Sequence, residues 1–125
     1  MPAVSVRCVP DYDNPDALYT AVDAHFEALG VAEELTPETR VLLKPNLLAG
    51  RAPESAVTTH PALLRAVAQW LRNHGVTKIV LADSPGGIYT PGSLRRVYAA
   101  CGLNDLSDVL TLNENTACGE RDGFT

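Results

Sequence analysis

Two short apolar segments constrain the fold of this chain more than any other feature. Residues 40–44 contain Val-Leu-Leu, and residues 78–83 contain Ile-Val-Leu-Ala. Neither segment alternates polar with apolar residues, which is typical of strands covered on both faces of a parallel sheet. Between them, leucines and a valine recur at helical spacing from Pro61 to Gly75. The three segments predict a strand, helix, strand crossover unit with central, parallel strands.

The amino-terminal segments predict another strand and helix. Residues 3–9 alternate, with Val4, Val6 and Cys8 on one side, which favours a half-buried strand near a sheet edge. Asn14 and Pro15 supply a helix cap and a first-turn proline, and apolar residues follow at helical spacing until Gly30.

The carboxyl-terminal part predicts a third helix from near Pro91 to Gly102, then a strand over residues 109–112. Residues 113–125 have no apolar period and are interpreted as a loop or an interrupted connection. With 125 residues, the chain falls within the usual size of one domain. We expect one Rossmann-like, three-layer α/β domain over residues 1–125, with a small, mainly parallel sheet of about four strands and helices packed on it.

Composition excludes several classes of function. A formal net charge of −5 and the absence of a basic stripe argue against nucleic-acid binding. No apolar stretch is long enough to span a membrane, and no signal peptide is recognisable. We therefore expect a cytoplasmic protein without nucleic-acid or membrane partners.

The cysteines argue against a metal centre inside this chain. Cys8, Cys101 and Cys118 are widely spaced and form no C-x-x-C unit, so we expect no cofactor within these residues. Cys8 and Cys101 are interpreted as small apolar core residues, and Cys118 lies in a polar tail.

Polar residues follow each predicted strand, where a parallel α/β fold collects them on one edge. The catalytic candidates are Lys44, His60 and Asp83. The ligand-binding candidates on the same edge are Asn46, Thr59, Ser84, Gly86 and Gly87. Asp11, Asp13 and Asn14 reach that edge from the first predicted strand, and Thr58 precedes the second helix.

Lys44 is a candidate for binding a carboxylate or a phosphate. It follows an apolar strand and precedes Pro45, so its ammonium is held at the rim of the sheet. Helix amino termini at Pro61 and Pro91 would add partial positive charge and unpaired N–H groups. The alternative is that Lys44 only caps the end of its strand or pairs with Asp83.

The histidine and the glycine-rich turn leave the chemistry open. A neutral His60 beside Asp83 would serve as a general base or a metal ligand, since the ordinary imidazole pKa is about 6.5. The alternative is that His60 is a helix cap or a buried, hydrogen-bonded histidine, and either Thr59 or His60 would cap the second helix. Gly86 and Gly87 permit close backbone approach to a ligand, but no Walker loop or dinucleotide fingerprint is present.

The segments VLLKPNLL, AVTTHPALLRAV and GVTKIVLADSPGG resemble the amino-terminal part of the domain of unknown function 362 family. By that resemblance, family motif positions fall on Lys44, Asn46, Thr59, His60, Pro61, Asp83 and Ser84. Many members are larger and carry a ferredoxin-like iron–sulfur segment, which implies redox work. The resemblance implies that these residues are the amino-terminal portion of a longer domain. An iron–sulfur cluster would then belong to a missing carboxyl-terminal domain or to a ferredoxin-like partner.

Three functional alternatives remain from the sequence. In an enzyme, Lys44 would hold a small anionic substrate while His60 and Asp83 transfer protons or share a metal. In a binding module, the same groups would only hold an anionic metabolite or nucleotide. In an interface module, the edge would contact another domain.

Overall fold

The computed structural model describes residues 2–83 and 91–113. The helices are α1 (Pro15–Ala28), α2 (Pro61–Asn73) and α3 (Pro91–Ala100), and the strands are β1 (Arg40–Leu43), β2 (Lys78–Leu81) and β3 (Thr111–Leu112). Short 3-10 helices occupy Ala32–Glu34, Pro53–Ser55 and Asn104–Asp108. The predicted α/β class with a small parallel sheet is confirmed.

The described strands form one parallel sheet in the order β1-β2-β3. Arg40 is the register partner of Lys78 and Leu43 that of Leu81, while Leu81 also pairs with Leu112. The described part of the chain therefore contains three strands, where about four were expected.

The strand predicted over residues 3–9 is wrong. Val4 and Val6 are 88% and 82% exposed, and Cys8, expected in the core, is exposed as well. Ser5 contacts α1 instead, with its Oγ 2.8 Å from Nδ1 of His25. Alternating residues indicate a segment with one polar and one apolar side. A strand, however, also needs a neighbouring strand to hydrogen-bond with, and this segment lies against a helix.

α1 and α2 pack against each other and form the helical layer. The side chain of Asn14 caps α1, accepting bonds from the N–H groups of Asp16 and Ala17, as its sequence predicts. Trp70 of α2 is fully buried, and its indole N–H donates to Asp23 of α1 at 2.8 Å. This bond gives the buried indole N–H a hydrogen-bond acceptor and connects α2 to α1.

Among residues 2–83 and 91–113, helices cover only one face of the sheet. Ile79 and Leu81 are buried in the same core as the helices, whereas Leu42 is 64% exposed and Val80 is half-buried. The expectation that β1 and β2 are covered on both faces is therefore wrong for the part of the chain that the structure describes. A second helical layer, which three layers would require, is not among these residues.

α3 packs into the core and contacts the segments that follow the two outer strands. The hydroxyl of Tyr98 donates to the carbonyl of Asn113, directly after β3. The thiol of Cys101, buried as predicted, contacts the carbonyl of Ala49 at 3.6 Å, in the loop after β1. The helix and Cys101 thus link the segments that follow the two outer strands.

Candidate ligand site

Lys44 and Asp83 meet at the carboxyl ends of β1 and β2. The Lys44 Nζ lies 2.8 Å from Oδ1 of Asp83, and the two side chains are 69% and 5% exposed. The other carboxylate oxygen accepts the backbone N–H of Leu47 at 3.1 Å. The carboxylate is thus held inside the protein while the ammonium remains at the surface.

A second contact fixes the loop after β1 to the start of α2. The N–H of Asn46 donates to the hydroxyl of Thr59 at 2.9 Å, and the N–H of Thr59 donates to the carbonyl of Asn46 at 3.0 Å. The neighbouring hydroxyl of Thr58 is buried and has no hydrogen-bond partner among the described residues. Two adjacent threonines therefore have different roles, one in bonding and one in packing.

His60 is the amino-terminal cap of α2. Its Nδ1 accepts the N–H of Ala62 at 3.1 Å, and its carbonyl accepts the N–H groups of Leu63 and Leu64. An Nδ1 that accepts a bond carries no proton, so the neutral ring has its hydrogen on Nε2. The ring also stacks on Tyr12, with centroids 4.0 Å apart and planes within 1°.

This geometry favours the capping alternative for His60 over the general-base alternative. No hydrogen bond joins His60 to Asp83 within residues 2–83 and 91–113. The expectation of unpaired N–H groups at the start of α2 is also wrong for Ala62, because His60 accepts the N–H of that residue. What His60 can still offer a ligand is the Nε2–H donor.

An acidic recess of about 340 Å³ lies beside His60. Its lining includes Asp11, Asp13, Glu54 and Thr58. Carboxylates repel an anion, so the recess does not extend an anion site around Lys44. Among the described residues, no three potential metal ligands are grouped closely enough to hold a metal ion.

The structure places Lys44, Asp83, Asn46 and Thr59 at one edge, and His60 starts the helix that follows the bonded loop. Three of the candidates, Ser84, Gly86 and Gly87, lie outside the described residues, as does Cys118. Sequence reasoning missed the Leu47 N–H donor and the stacking of Tyr12 on His60. No sequence signal indicates either, because a backbone donor has no residue signature and Tyr12 lies in a polar, irregular segment.

These features define a small parallel α/β domain with polar side chains collected at the carboxyl ends of its strands. A family model described as "Domain of unknown function (DUF362)" matches residues 41–121, more than half of the chain. The chain therefore belongs to the DUF362 family. The matched region includes Lys44, His60 and Asp83.

One relative is named Thylakoid-associated protein and comes from Synechocystis sp.. It is 43% identical over 56 residues, which are 45% of this chain and 17% of the relative. The match thus spans less than a fifth of that protein. No solved structure is significantly similar to the chain. Among the helices that the structure describes, none has the length and apolar character needed to cross a membrane.

Proposed function

We propose that this domain binds a small anionic ligand at the carboxyl ends of its strands, with Lys44 as the main contact. The observation that carries this proposal is the unequal burial of the Lys44–Asp83 pair. A buried carboxylate holds the exposed ammonium in place, so a ligand meets a positioned donor and the protein loses less side-chain entropy on binding.

The ion pair also limits the kind of ligand. Asp83 offsets the charge of Lys44, so long-range attraction is weak and binding must come from short hydrogen bonds. The ammonium has three N–H groups, of which Asp83 accepts one. The Lys44 side chain is 69% exposed, so the other N–H groups are accessible to a compact acceptor such as a phosphate or a carboxylate. In this proposal, Asn46, Thr59, Ser84, Gly86 and Gly87 shape the backbone around that acceptor.

The proposal has an enzymatic and a non-catalytic form. In the enzymatic form, Lys44 contacts the substrate, Asp83 positions Lys44, and His60 donates through Nε2–H, while electrons come from an iron–sulfur segment or a ferredoxin-like partner. That segment or partner would supply the cluster cysteines, and the protein would act in the cytoplasm. In the non-catalytic form, the domain only holds a metabolite or serves as a domain interface.

Calorimetric titration with inorganic phosphate tests the site. We expect Lys44→Ala to weaken phosphate binding by about ten-fold or more. Lys78→Ala is the matched control, because it removes an equal charge from an exposed lysine at the amino end of β2 and should leave binding unchanged. Equal affinity in both variants would remove Lys44 from the site. Binding seen only with added Mg²⁺ would reject the anion site and make Asp83 the main contact.

A further inference from the structure

The exposed face of the sheet has a defined chemical pattern. Leu42, Val80 and Ala82 form a short apolar strip, with Leu42 64% exposed. Arg40 and Lys78 are register partners at the amino ends of β1 and β2, and both are exposed. We call this surface, from Arg40 and Lys78 to Ala82, the open sheet face.

This pattern favours a helix as the occupant. Parallel strands are almost always covered by helices on both faces, and α1 and α2 cover only the opposite face. A helix running antiparallel to the strands, as in a crossover unit, would place its carboxyl end above Arg40 and Lys78. The carboxyl end of a helix carries partial negative charge, so the two cations complement it.

A second copy of the chain fits this surface less well. The described residues of the open sheet face include two cations and no carboxylate, so the face is not complementary to itself in charge. A charged, amphipathic partner therefore fits better than self-association.

We propose that the open sheet face docks an amphipathic helix of a partner polypeptide, antiparallel to β1 and β2. An apolar stripe of that helix covers Leu42, Val80 and Ala82. Acidic residues in its last turn contact Arg40 and Lys78. This surface is separate from Lys44 and Asp83, which lie at the carboxyl ends of the strands, so the docking proposal stands without the anion site.

Two synthetic peptides of about 15 residues test the proposal, each crosslinked to be helical because short free helices are marginal in water. Both carry leucines at helical spacing, and the last turn holds glutamates in one and lysines in the other. Calorimetry with the full chain should show about ten-fold tighter binding of the glutamate peptide. The double variant Arg40→Glu, Lys78→Glu should reverse that preference.

Leu42→Asp should weaken binding of the glutamate peptide by about ten-fold or more. Leu29→Asp is the matched control, because Leu29 is also exposed, at 45%, but lies at the end of α1. Both leucines are at the surface, and circular dichroism checks that the variants fold. Equal binding of the two peptides, or no effect of Leu42→Asp, overturns the proposal. A concentration-dependent dimer that is lost in Leu42→Asp overturns it in favour of a second copy.

Discussion

The carboxylate of Asp83 and the ammonium of Lys44 connect the ends of two neighbouring parallel strands at 2.8 Å, and only the carboxylate is buried. The strand register explains the contact. Leu43 is paired with Leu81, so the residues just after the two strands approach each other at one edge. The N–H of Leu47 completes the arrangement by donating to the second carboxylate oxygen.

Asp83→Ala should destabilise the domain more than Asp83→Asn. Alanine removes both the partner of Lys44 and the acceptor for the Leu47 N–H, while an asparagine oxygen can still accept that N–H. We expect a loss of about 1.5–3 kcal/mol in the free energy of unfolding for alanine, and a smaller loss for asparagine. Urea denaturation measures both.

Glu38→Ala is the control for this series, because Glu38 is an exposed carboxylate in a loop and its removal should have little effect. If Asp83→Ala and Asp83→Asn unfold at the same urea concentration, the Leu47 contact does not contribute to stability.

The adjacent threonines Thr58 and Thr59 should respond in opposite ways to valine. Thr59→Val removes the acceptor for the Asn46 N–H and should cost about 0.5–1.5 kcal/mol. Thr58→Val replaces a buried hydroxyl that has no partner in the described part of the chain, and it should be neutral or stabilising, because an unpaired polar group is costly to bury. Thermal unfolding of the two variants compares them directly. A clear destabilisation by Thr58→Val would show that its hydroxyl has a partner in solution.

The elements that the sequence predicts best are those with a local signal. Apolar runs of three and four residues locate β1 and β2, and Pro61 locates the start of α2. Asn14 predicts the start of α1 because a cap bonds only to its own first turn. The shared edge of Lys44 and Asp83 then follows from parallel pairing alone.

The features that depend on distant partners could not be predicted. Residues 3–9 alternate as a strand would, but nothing in that segment reports whether a sheet edge is available to it. Whether a face of β1 is exposed or buried likewise depends on which other elements pack on it, and the apolar run alone does not predict that Leu42 is exposed. The stacking of Tyr12 on His60 joins segments 48 positions apart in the chain, and no local pattern encodes it.

His60 is expected to be replaceable by another capping residue. His60→Ala should cost about 0.5–2 kcal/mol, because the Ala62 N–H loses its acceptor. His60→Asn should recover most of that loss, since an asparagine oxygen caps a helix well. Urea denaturation measures stability, and phosphate titration of the same variants measures the site. If His60→Asn is as unstable as His60→Ala, stacking on Tyr12 rather than capping is the main contribution of His60.

The ion pair of Arg65 with Asp108 should give the clearest pH signature. Two guanidinium N–H groups donate to the carboxylate at 2.9 and 3.1 Å. The hydrogen bond from Arg65, with its charge, lowers the pKa of Asp108 below its ordinary value of 3.8. A lowered pKa in the folded state stabilises the fold above the ordinary value, and that stabilisation is lost as the pH falls through the folded-state pKa.

Arg65→Ala should therefore raise the pKa of Asp108 towards 3.8. An NMR titration that monitors the side-chain carboxyl chemical shift measures this pKa. Stability of the variant should fall below that of the natural chain at about pH 7 and approach it at about pH 2, where the carboxylate is protonated in both. The effect should be small and salt-sensitive, because both side chains are more than a third exposed. Arg65 also donates to the carbonyl of Asp105, so Arg65→Ala removes more than the contact with Asp108. Asp108→Asn is therefore measured alongside, because it removes only the titrating group. An unchanged Asp108 pKa in Arg65→Ala would mean that the pair does not persist in solution.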